Sequence, residues 1–320
     1  MLRTIYAAAP YETAFSLLEA LATTTCDQVI QVAAEHAYYL HSPLLQTAPC
    51  RLRRFCALTE GAYGEPEQVL VRRTAYPFYM SSLPAPLAST LAAQVCGTGR
   101  NHIACPAVPA PLRVENRFGL SCHECDCRSR AEMGRYCSLV FHCLPFLSRC
   151  PLHGCPLYLA DRCSAHEFGM CTAGNQPRQR NSLHLSNVCM RLLASKDCHC
   201  ALDEIKARLL ERQYLTDDGA LMATELTHDI NGALSDGFED DRLNIWLFQI
   251  ELVRQVVRHL QQPKHAHHPT EIAVVLTALE QIERSRPPRA SMLDTSAVQA
   301  TEATRPQPLK RPRVQEIRRP

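Results

Sequence analysis

The 320-residue sequence lacks the segments that direct a chain into or across a membrane. Its N-terminus, MLRTIYAAAPYET, has no apolar run of the ~7–15 residues found in signal peptides, and no stretch approaches the ~18 uncharged apolar residues of a membrane span. We therefore expect a soluble protein of the reducing cytosol, without a membrane partner.

Signatures of common catalytic sites are absent as well. The sequence has no G-x-x-x-x-G-K-[S/T], G-x-G-x-x-G, G-x-S-x-G or H-E-x-x-H motif, and it lacks the H-x-E and P-C-x-x-C pair of zinc deaminases. His142 beside Cys143 offers the residue types of a base and a nucleophile, but neighbours in sequence seldom face each other. These absences predict a protein that is not an enzyme.

A strongly basic body is also missing. The formal charge is +2, and the segment from Glu283 to Pro320 holds nine Arg or Lys against four Asp or Glu, which leaves −3 for the rest. A surface that faces phosphates would have to be a local patch, either Arg51, Arg53 and Arg54 or Arg72 and Arg73. The alternative is that these arginines simply form a solvated face.

Cysteine, by contrast, is abundant. Fourteen of the 17 cysteines lie between Cys96 and Cys200. Because a disulfide-stapled fold would be shorter and exported, metal ligation explains this concentration better. Isolated cysteines are expected to be small buried apolar residues instead; these are Cys26, Cys56, Cys96 and Cys137.

Two short-spaced ligand pairs stand out within this region. Cys122 and Cys125 form a C-x2-C knuckle, and Cys150 with His153 forms a C-x2-H knuckle 24 residues further on. Each knuckle turns tightly enough for both side chains to bind one ion, and three thiolates with one imidazole predict a closed, structural Zn²⁺ site.

A second zinc site is a weaker candidate. Its proposed ligands are Cys163 and His166, in another C-x2-H pair, together with Cys198 and Cys200. Cys171, Cys189 and His199 compete for the same role. The histidines at 265, 267 and 268 lack paired cysteines and are expected on a surface loop.

Apolar residues at three- and four-residue steps predict helices on both sides of the cysteine region. The predicted helical segments are Thr13–Leu45, Leu83–Val95, Asp203–Tyr214, Ala223–Leu234, Arg242–Leu260 and Thr270–Glu283. The pair around the TDDG turn at Thr216–Gly219 is compatible with a helix-turn-helix and equally with any helical bundle. We expect a mainly α fold with a small central zinc-binding module of loops and short strands.

This pattern suggests four regions. Residues 1–111 form an N-terminal helical region, 112–180 the zinc-binding module and 181–283 a C-terminal helical domain. Residues 284–320 are rich in Pro and Arg and poor in large apolar groups, so we expect a disordered basic tail. Its KRPR at 310–313 would either touch nucleic acid nonspecifically or aid solubility.

The segment from Leu120 to Leu157 resembles the zinc-binding signature of the TniQ family, which includes TnsD-type target selectors of bacterial transposons. That signature reads roughly C-x2-C, a Gly and an aromatic, R-x-H-Q-L-P-G, then C-x2-H-G-x2-L. The matching residues are Cys122, Cys125, Gly134, Tyr136, His142, Leu144, Pro145, Cys150, His153, Gly154 and Leu157. Cys143, Phe146 and Ser129 depart from it without removing a zinc ligand.

Flanking segments resemble the family in the same order, from about Pro10 to Leu279. They match at Glu12, Ser16, Leu17 and Leu18, at Thr74, Pro77, Phe78 and Tyr79, in the helix, turn and helix from Arg208 to Ile230, and at His268 and Pro269.

The resemblance implies a non-catalytic adaptor in the bacterial cytoplasm that selects sites for DNA transposition. Such an adaptor binds target DNA or joins an RNA-guided effector complex, and it recruits an AAA+ ATPase that regulates the transposase. The other readings are a zinc-containing DNA-binding regulator unrelated to transposition and, third, a zinc hydrolase or deaminase.

Overall fold

Helices dominate the chain, which confirms the predicted mainly α class. The computed structural model describes residues 6–24, 52–97, 120–144, 146–159, 175–195, 200–216, 218–261 and 268–285. All of them belong to one unit, Met1–Arg286. The boundaries predicted inside this unit, at residues 111 and 180, stay predictions, and the predicted tail lies outside the described residues. Within those ranges no helix is long and apolar enough to cross a bilayer.

The first group of helices surrounds its own apolar cluster. These helices are α1 (Ala14–Thr24), α2 (Leu52–Leu58), α3 (Pro66–Arg73), α4 (Tyr76–Met80) and α5 (Ala85–Cys96). Leu17, Leu52, Val69 and Met80 are fully buried there. The helix predicted at Leu83–Val95 is confirmed as α5, whereas residues 25–45 of the segment predicted from Thr13 lie outside the described residues.

Helices α3 and α4 were not among the predicted segments; each contains a proline, a residue that commonly interrupts a helix. Pro66 is the first residue of α3 and Pro77 lies in the first turn of α4. Proline is tolerated at these positions, where the missing N–H would have no helical partner. At the start of α3 the backbone N–H of Glu65 also donates to Gln68 Oε1. Pro66 and Pro77 therefore lie in the first turns of these helices and do not interrupt them.

The central module contains the two short strands that were expected and one helix that was not. Strands β1 (Leu120–Ser121) and β2 (Tyr158–Leu159) pair antiparallel, with Leu120 opposite Leu159. Between them run helix α6 (His123–Met133) and a 3-10 helix (Val140–Cys143). The prediction of loops and strands alone was therefore incomplete. Helix α6 lacks an apolar stripe because it buries the polar or sulfur-bearing side chains of Cys125 and Ser129.

A third group consists of six described helices, the last of which lies in the interior. They are α7 (Gln176–Ala194), α8 (Cys200–Glu211), α9 (Ala223–Ala233), α10 (Asp241–Ile250), α11 (Leu252–Gln261) and α12 (Pro269–Ser285). Residues 269–280 of α12 are all buried, and α7, α8, α9 and α11 pack against it. The helices predicted near 203–214, 223–234 and 270–283 are confirmed. The connection between α8 and α9 contains a bridge between Leu215 and Leu221, and a helix-turn-helix there stays a prediction.

The single helix predicted from Arg242 to Leu260 is wrong. The backbone of Glu251 is left-handed, with φ 48°, and it separates α10 from α11. The change of direction keeps Leu243, Trp246 and Val256 in the interior. Trp246 is 5% exposed, and its ring centroid lies 5.7 Å from that of His268.

Candidate metal centre

The first knuckle is formed where β1 passes into α6. Cys122 has an extended backbone and precedes the first residue of the helix, and its carbonyl accepts from the N–H of Asp126 at 2.9 Å. Cys125 lies one turn into the helix, so both sulfurs face the same side. Cys122 is fully buried and Cys125 is 6% exposed. The helix start thus fixes two donors in the interior of the module.

The second knuckle is a tight turn that follows residue 149. The N–H of Cys150 donates to the carbonyl of Cys155, and the N–H of Gly154 donates back to the carbonyl of Cys150, both at 2.8 Å. Gly154 adopts φ 68°, a left-handed conformation that glycine takes at little cost. Cys150 is fully buried and His153 is partly exposed.

Pairing of β1 with β2 brings the two knuckles together, and all four ligand atoms lie within 4.8 Å of one another. His153 Nδ1 is 3.5 Å from Cys122 Sγ, 3.4 Å from Cys125 Sγ and 3.7 Å from Cys150 Sγ. The sulfurs of Cys125 and Cys150 are 3.7 Å apart. The four residues of the first predicted zinc site therefore form one cluster.

These distances fit a tetrahedral zinc ion. With Zn–S bonds of about 2.3 Å and Zn–N bonds of about 2.0–2.1 Å, the edges of such a tetrahedron are about 3.8 Å between sulfurs and about 3.6 Å between sulfur and nitrogen. A disulfide is excluded for Cys125 and Cys150, because its sulfurs would lie about 2.05 Å apart. Hydrogen bonds within the cluster lower the pKa of the Cys150 thiol and raise that of Cys125, so the thiols do not ionise alike, and binding of a metal ion releases their protons. When bound, zinc would cross-link the two knuckles.

A hydrogen-bonded layer supports the first knuckle from outside. The Asp126 carboxylate accepts from the Ser121 hydroxyl at 2.5 Å and from the Tyr158 hydroxyl. Burial raises the pKa of Tyr158, and its bond to Asp126 raises it further. Since Ser121 and Tyr158 are opposite each other in the β1–β2 pair, Asp126 joins α6 to both strands. Sequence reasoning missed this carboxylate, which has no ligand spacing to reveal it.

The second knuckle is attached to the C-terminal helices. Arg149 donates to Glu239 through Nε at 2.6 Å and Nη2 at 2.7 Å, and its Nη1 donates to the carbonyl of Gly154 at 2.7 Å. The hydroxyl of Ser186, in α7, donates to the carbonyl of Arg149 at 2.8 Å. Planar bidentate contacts of this kind fix orientation as well as distance. The knuckle is therefore held against two distant parts of the chain.

His142 and Cys143 do not face each other as a base and a nucleophile would. The Cys143 thiol donates to the carbonyl of Leu139 at 3.4 Å, and burial raises its pKa to about 12. The His142 ring packs edge-on against Phe141, and burial lowers its pKa to about 4, so the ring is neutral. This geometry gives no activated thiol at this position.

The second predicted zinc site lies outside the described residues. Cys163, His166, Cys171, Cys198 and His199 fall there, and of Cys200 only the backbone is described. Cys189, a competing candidate, is fully buried in α7, and burial raises its pKa. Among the described residues the four ligands above form the one cluster of three or more metal-binding side chains.

The isolated cysteines and the C-terminal histidines of the sequence analysis are buried, partly exposed or outside the described residues. Cys56, Cys96 and Cys137 are buried as expected, while Cys26 lies outside the described residues. Histidines 265 and 267 also lie outside them. His268 was expected on a surface loop, but burial lowers its pKa to about 4, and its Nδ1 accepts from the N–H of Thr270 at 3.2 Å. His268 lies just before α12 and outside any helix, as expected of a loop residue, but it is only partly exposed because its ring caps the start of α12.

The fold and site together define a mainly helical protein with a Cys3His cluster suited to a metal ion. Neither the protein-family models nor the curated proteins compared with this sequence gave a match.

Proposed function

We propose that this protein is a non-catalytic adaptor for target selection in DNA transposition. In this role it binds target DNA or an RNA-guided effector complex and recruits an AAA+ ATPase that regulates the transposase. The observation that carries the proposal is the Cys3His cluster in the segment that resembles the TniQ signature. Four protein ligands leave no open position for a substrate, so the zinc proposed here has a structural role.

Contacts between the separate segments that carry the resemblance support this proposal. Glu12, in the first segment, pairs with Arg135 of the central module. Phe78, in the second segment, has its ring centroid 5.8 Å from that of Phe146. Residues that are far apart in the sequence therefore pack around the module as one unit. A shared structural unit is what a family signature spread over a long chain would require.

A rigid module also suits an adaptor physically. Loops held by a metal ion and by the Arg149–Glu239 pair do not have to be ordered when a partner binds. Binding energy is then available for the contact itself. The same cross-linking would connect a partner on the module with one on the C-terminal helices.

Reconstitution with purified components tests the proposal. The chain is mixed with labelled duplex DNA and with a transposon-encoded AAA+ ATPase, and recruitment of the ATPase to DNA is measured with and without the chain. We expect recruitment only when the chain is present, and DNA affinity that falls as salt rises. Binding of DNA without any effect on the ATPase would favour a regulator unrelated to transposition, and binding of neither would refute the proposal.

A further inference from the structure

A cleft outside the metal centre combines arginines with unpaired N–H groups. It has a volume of about 440 Å³ and lies between the segment from Tyr6 to Ala8, the turn before α3 and one side of α3. Arg72, Arg73 and Gln68 line it from α3, and none of the described residues lining it is acidic. This volume falls within the range of small-molecule sites, about 300–1,000 Å³.

Three hydrogen-bond acceptors in the lining of this cleft already have donors. The carbonyl of Tyr6 accepts from the Tyr63 hydroxyl at 3.0 Å, and the carbonyl of Ala7 accepts from Arg135 at 3.4 Å. Gln68 Oε1 accepts from the N–H of Glu65 at 3.2 Å. These three acceptors are therefore engaged, and the described lining contains no carboxylate that would repel an anion.

Its donors, in contrast, are largely available. In the described part of the chain Arg72 has no hydrogen-bond partner and its side chain is exposed. Arg73 uses Nη1 to donate to the carbonyl of Ala9 at 2.6 Å, which holds the guanidinium at the cleft and leaves Nε and Nη2 for another acceptor. Burial lowers the pKa of Arg73, and the Glu12 carboxylate offsets part of this effect, so an anion in the cleft would further offset the cost of burying the charge of Arg73.

Two further features shape the site. The Arg135 guanidinium, whose charge is balanced by Glu12, lies over the ring of Tyr6, 5.4 Å from its centroid, and fixes this side of the lining. Gly64 has φ 104°, and a Cβ there would come within 2.4 Å of Gln68 Oε1. Any larger residue would displace the Gln68 amide, so glycine keeps this side of the cleft open.

We propose that this cleft binds a phosphate group, with Arg72 and Arg73 as the main donors. A phosphate offers only acceptors, carries negative charge and fits the planar donor pairs of arginine. The group belongs either to a free phosphate compound or to a nucleic-acid backbone. The site stands on its own geometry and does not depend on the proposed role in transposition.

Binding of inorganic pyrophosphate to the full-length, zinc-loaded protein tests the proposal by titration calorimetry. We expect Arg72→Gln to weaken binding about tenfold or more, because a charge-assisted hydrogen bond is lost. The matched control is Arg180→Gln, which changes an exposed arginine of α7 outside the lining; its affinity should stay within about twofold. Equal losses in both variants, or no binding to the wild type, would overturn the proposal.

Competition with a short DNA duplex identifies the source of the phosphate. If pyrophosphate displaces the duplex and Arg72→Gln weakens both ligands, the cleft takes a backbone phosphate. If pyrophosphate binding depends on Arg72 but the duplex does not bind, or binds without being displaced by pyrophosphate, the cleft takes a free phosphate compound. Loss of DNA binding alone therefore counts against the proposed function and leaves the phosphate site intact.

Discussion

Glu12 is a fully buried carboxylate whose partners come from two distant parts of the chain. It accepts from the N–H of Ala9 at 2.9 Å, from the Ser16 hydroxyl at 2.7 Å and from both Nη atoms of Arg135. The side chain of Arg135 is 15% exposed. A buried pair of this kind stabilises little by its presence, but removing one partner leaves an uncompensated charge.

We expect Glu12→Gln to lower the free energy of unfolding by about 3 kcal/mol, because Arg135 would keep its charge without a carboxylate. Chemical denaturation measures the loss. The control is Asp241→Asn, which breaks the exposed pair with Arg178 and should cost less than about 1 kcal/mol. Similar losses in the two variants would show that the Glu12 pair is not specially important.

Glu280 connects α12 to α7 through a charged hydrogen bond from Arg191 and a close contact with His184. Its Oε2 lies 2.9 Å from His184 Nε2, and its Oε1 accepts from Arg191. Arg284 donates to His184 Nδ1 at 3.2 Å, so Nε2 carries the proton that faces Glu280. Burial alone would raise the pKa of Glu280, but the bonds from His184 and Arg191 lower it to about 2.

A carboxyl whose pKa is lower in the folded state stabilises the fold above its unfolded pKa. This contribution is lost as the pH falls from about 5 to about 2, and solvent screening limits it to about 1–3 kcal/mol. We therefore expect Glu280→Gln to narrow the difference in stability between about pH 6 and pH 3, measured by urea unfolding. Any metal ion bound at the Cys3His cluster is lost from the wild type and from the variant alike as the pH falls, so this loss does not affect the comparison. An unchanged pH dependence in the variant would contradict this role of Glu280.

Among the elements, the break between α10 and α11 depends on one residue in a left-handed conformation. A side chain at φ 48° costs about 1 kcal/mol, and glycine would remove this cost. We expect Glu251→Gly to raise the free energy of unfolding by about 0.5–1 kcal/mol, with a small deduction for the exposed pair with Arg254. Thermal unfolding shows whether the Glu251→Gly variant is more or less stable than the wild type.

The matched control for this change lies in the preceding helix. Gln249 is exposed within α10, and Gln249→Gly should cost about 0.5–1 kcal/mol because glycine loses more backbone freedom there. If both glycine variants are destabilised, the break is not relieved by glycine and the interpretation of Glu251 is wrong.

Sequence patterns predicted α8, α9 and α12 but missed the 19-residue α7 and the short helices α3 and α4. The periodic apolar residues of α8, α9 and α12 face a core, and this periodicity is visible in the sequence. Helices α3 and α4 begin with proline, which resembles an interruption until its position in the first turn is known. The left-handed Glu251 has no signal at all, because glutamate favours helices.

For the molecule as a whole, a zinc ion in the Cys3His cluster would cross-link two separate segments of the chain. If zinc is bound, a chelator should destabilise the folded chain by several kcal/mol, since metal binding contributes directly to folding in such sites. Cys150→Ser should behave like the chelated protein. Cys127→Ser, which changes an exposed cysteine of α6 outside the cluster, should behave like the wild type.

Elemental analysis of the natively purified protein completes this test. We expect zinc in the wild type and in Cys127→Ser, and loss of one equivalent in Cys150→Ser. Absence of zinc from the wild type would refute the structural role of the cluster. Equal metal content in both cysteine variants would show that Cys150 is not a ligand.

The four cluster residues could be named from spacing alone because a knuckle is local, and two knuckles need only one long-range contact to meet. The residues that hold the cluster in place could not be predicted from the sequence in this way. Arg149 reaches Glu239 and Arg135 reaches Glu12 over 90 and 123 residues, and nothing in the neighbouring sequence indicates such partners. Long-range pairs of single charged residues become visible only in the folded chain.

The attachment of the second knuckle to Glu239 has an optical consequence. Glu239 lies two residues before α10, and α10 carries Trp246, the single tryptophan of the chain. Tryptophan fluorescence therefore comes from one buried residue, Trp246, in the helix that follows Glu239. The protein thus contains its own spectroscopic probe, and its emission wavelength would report whether a change at the knuckle reaches the C-terminal helices.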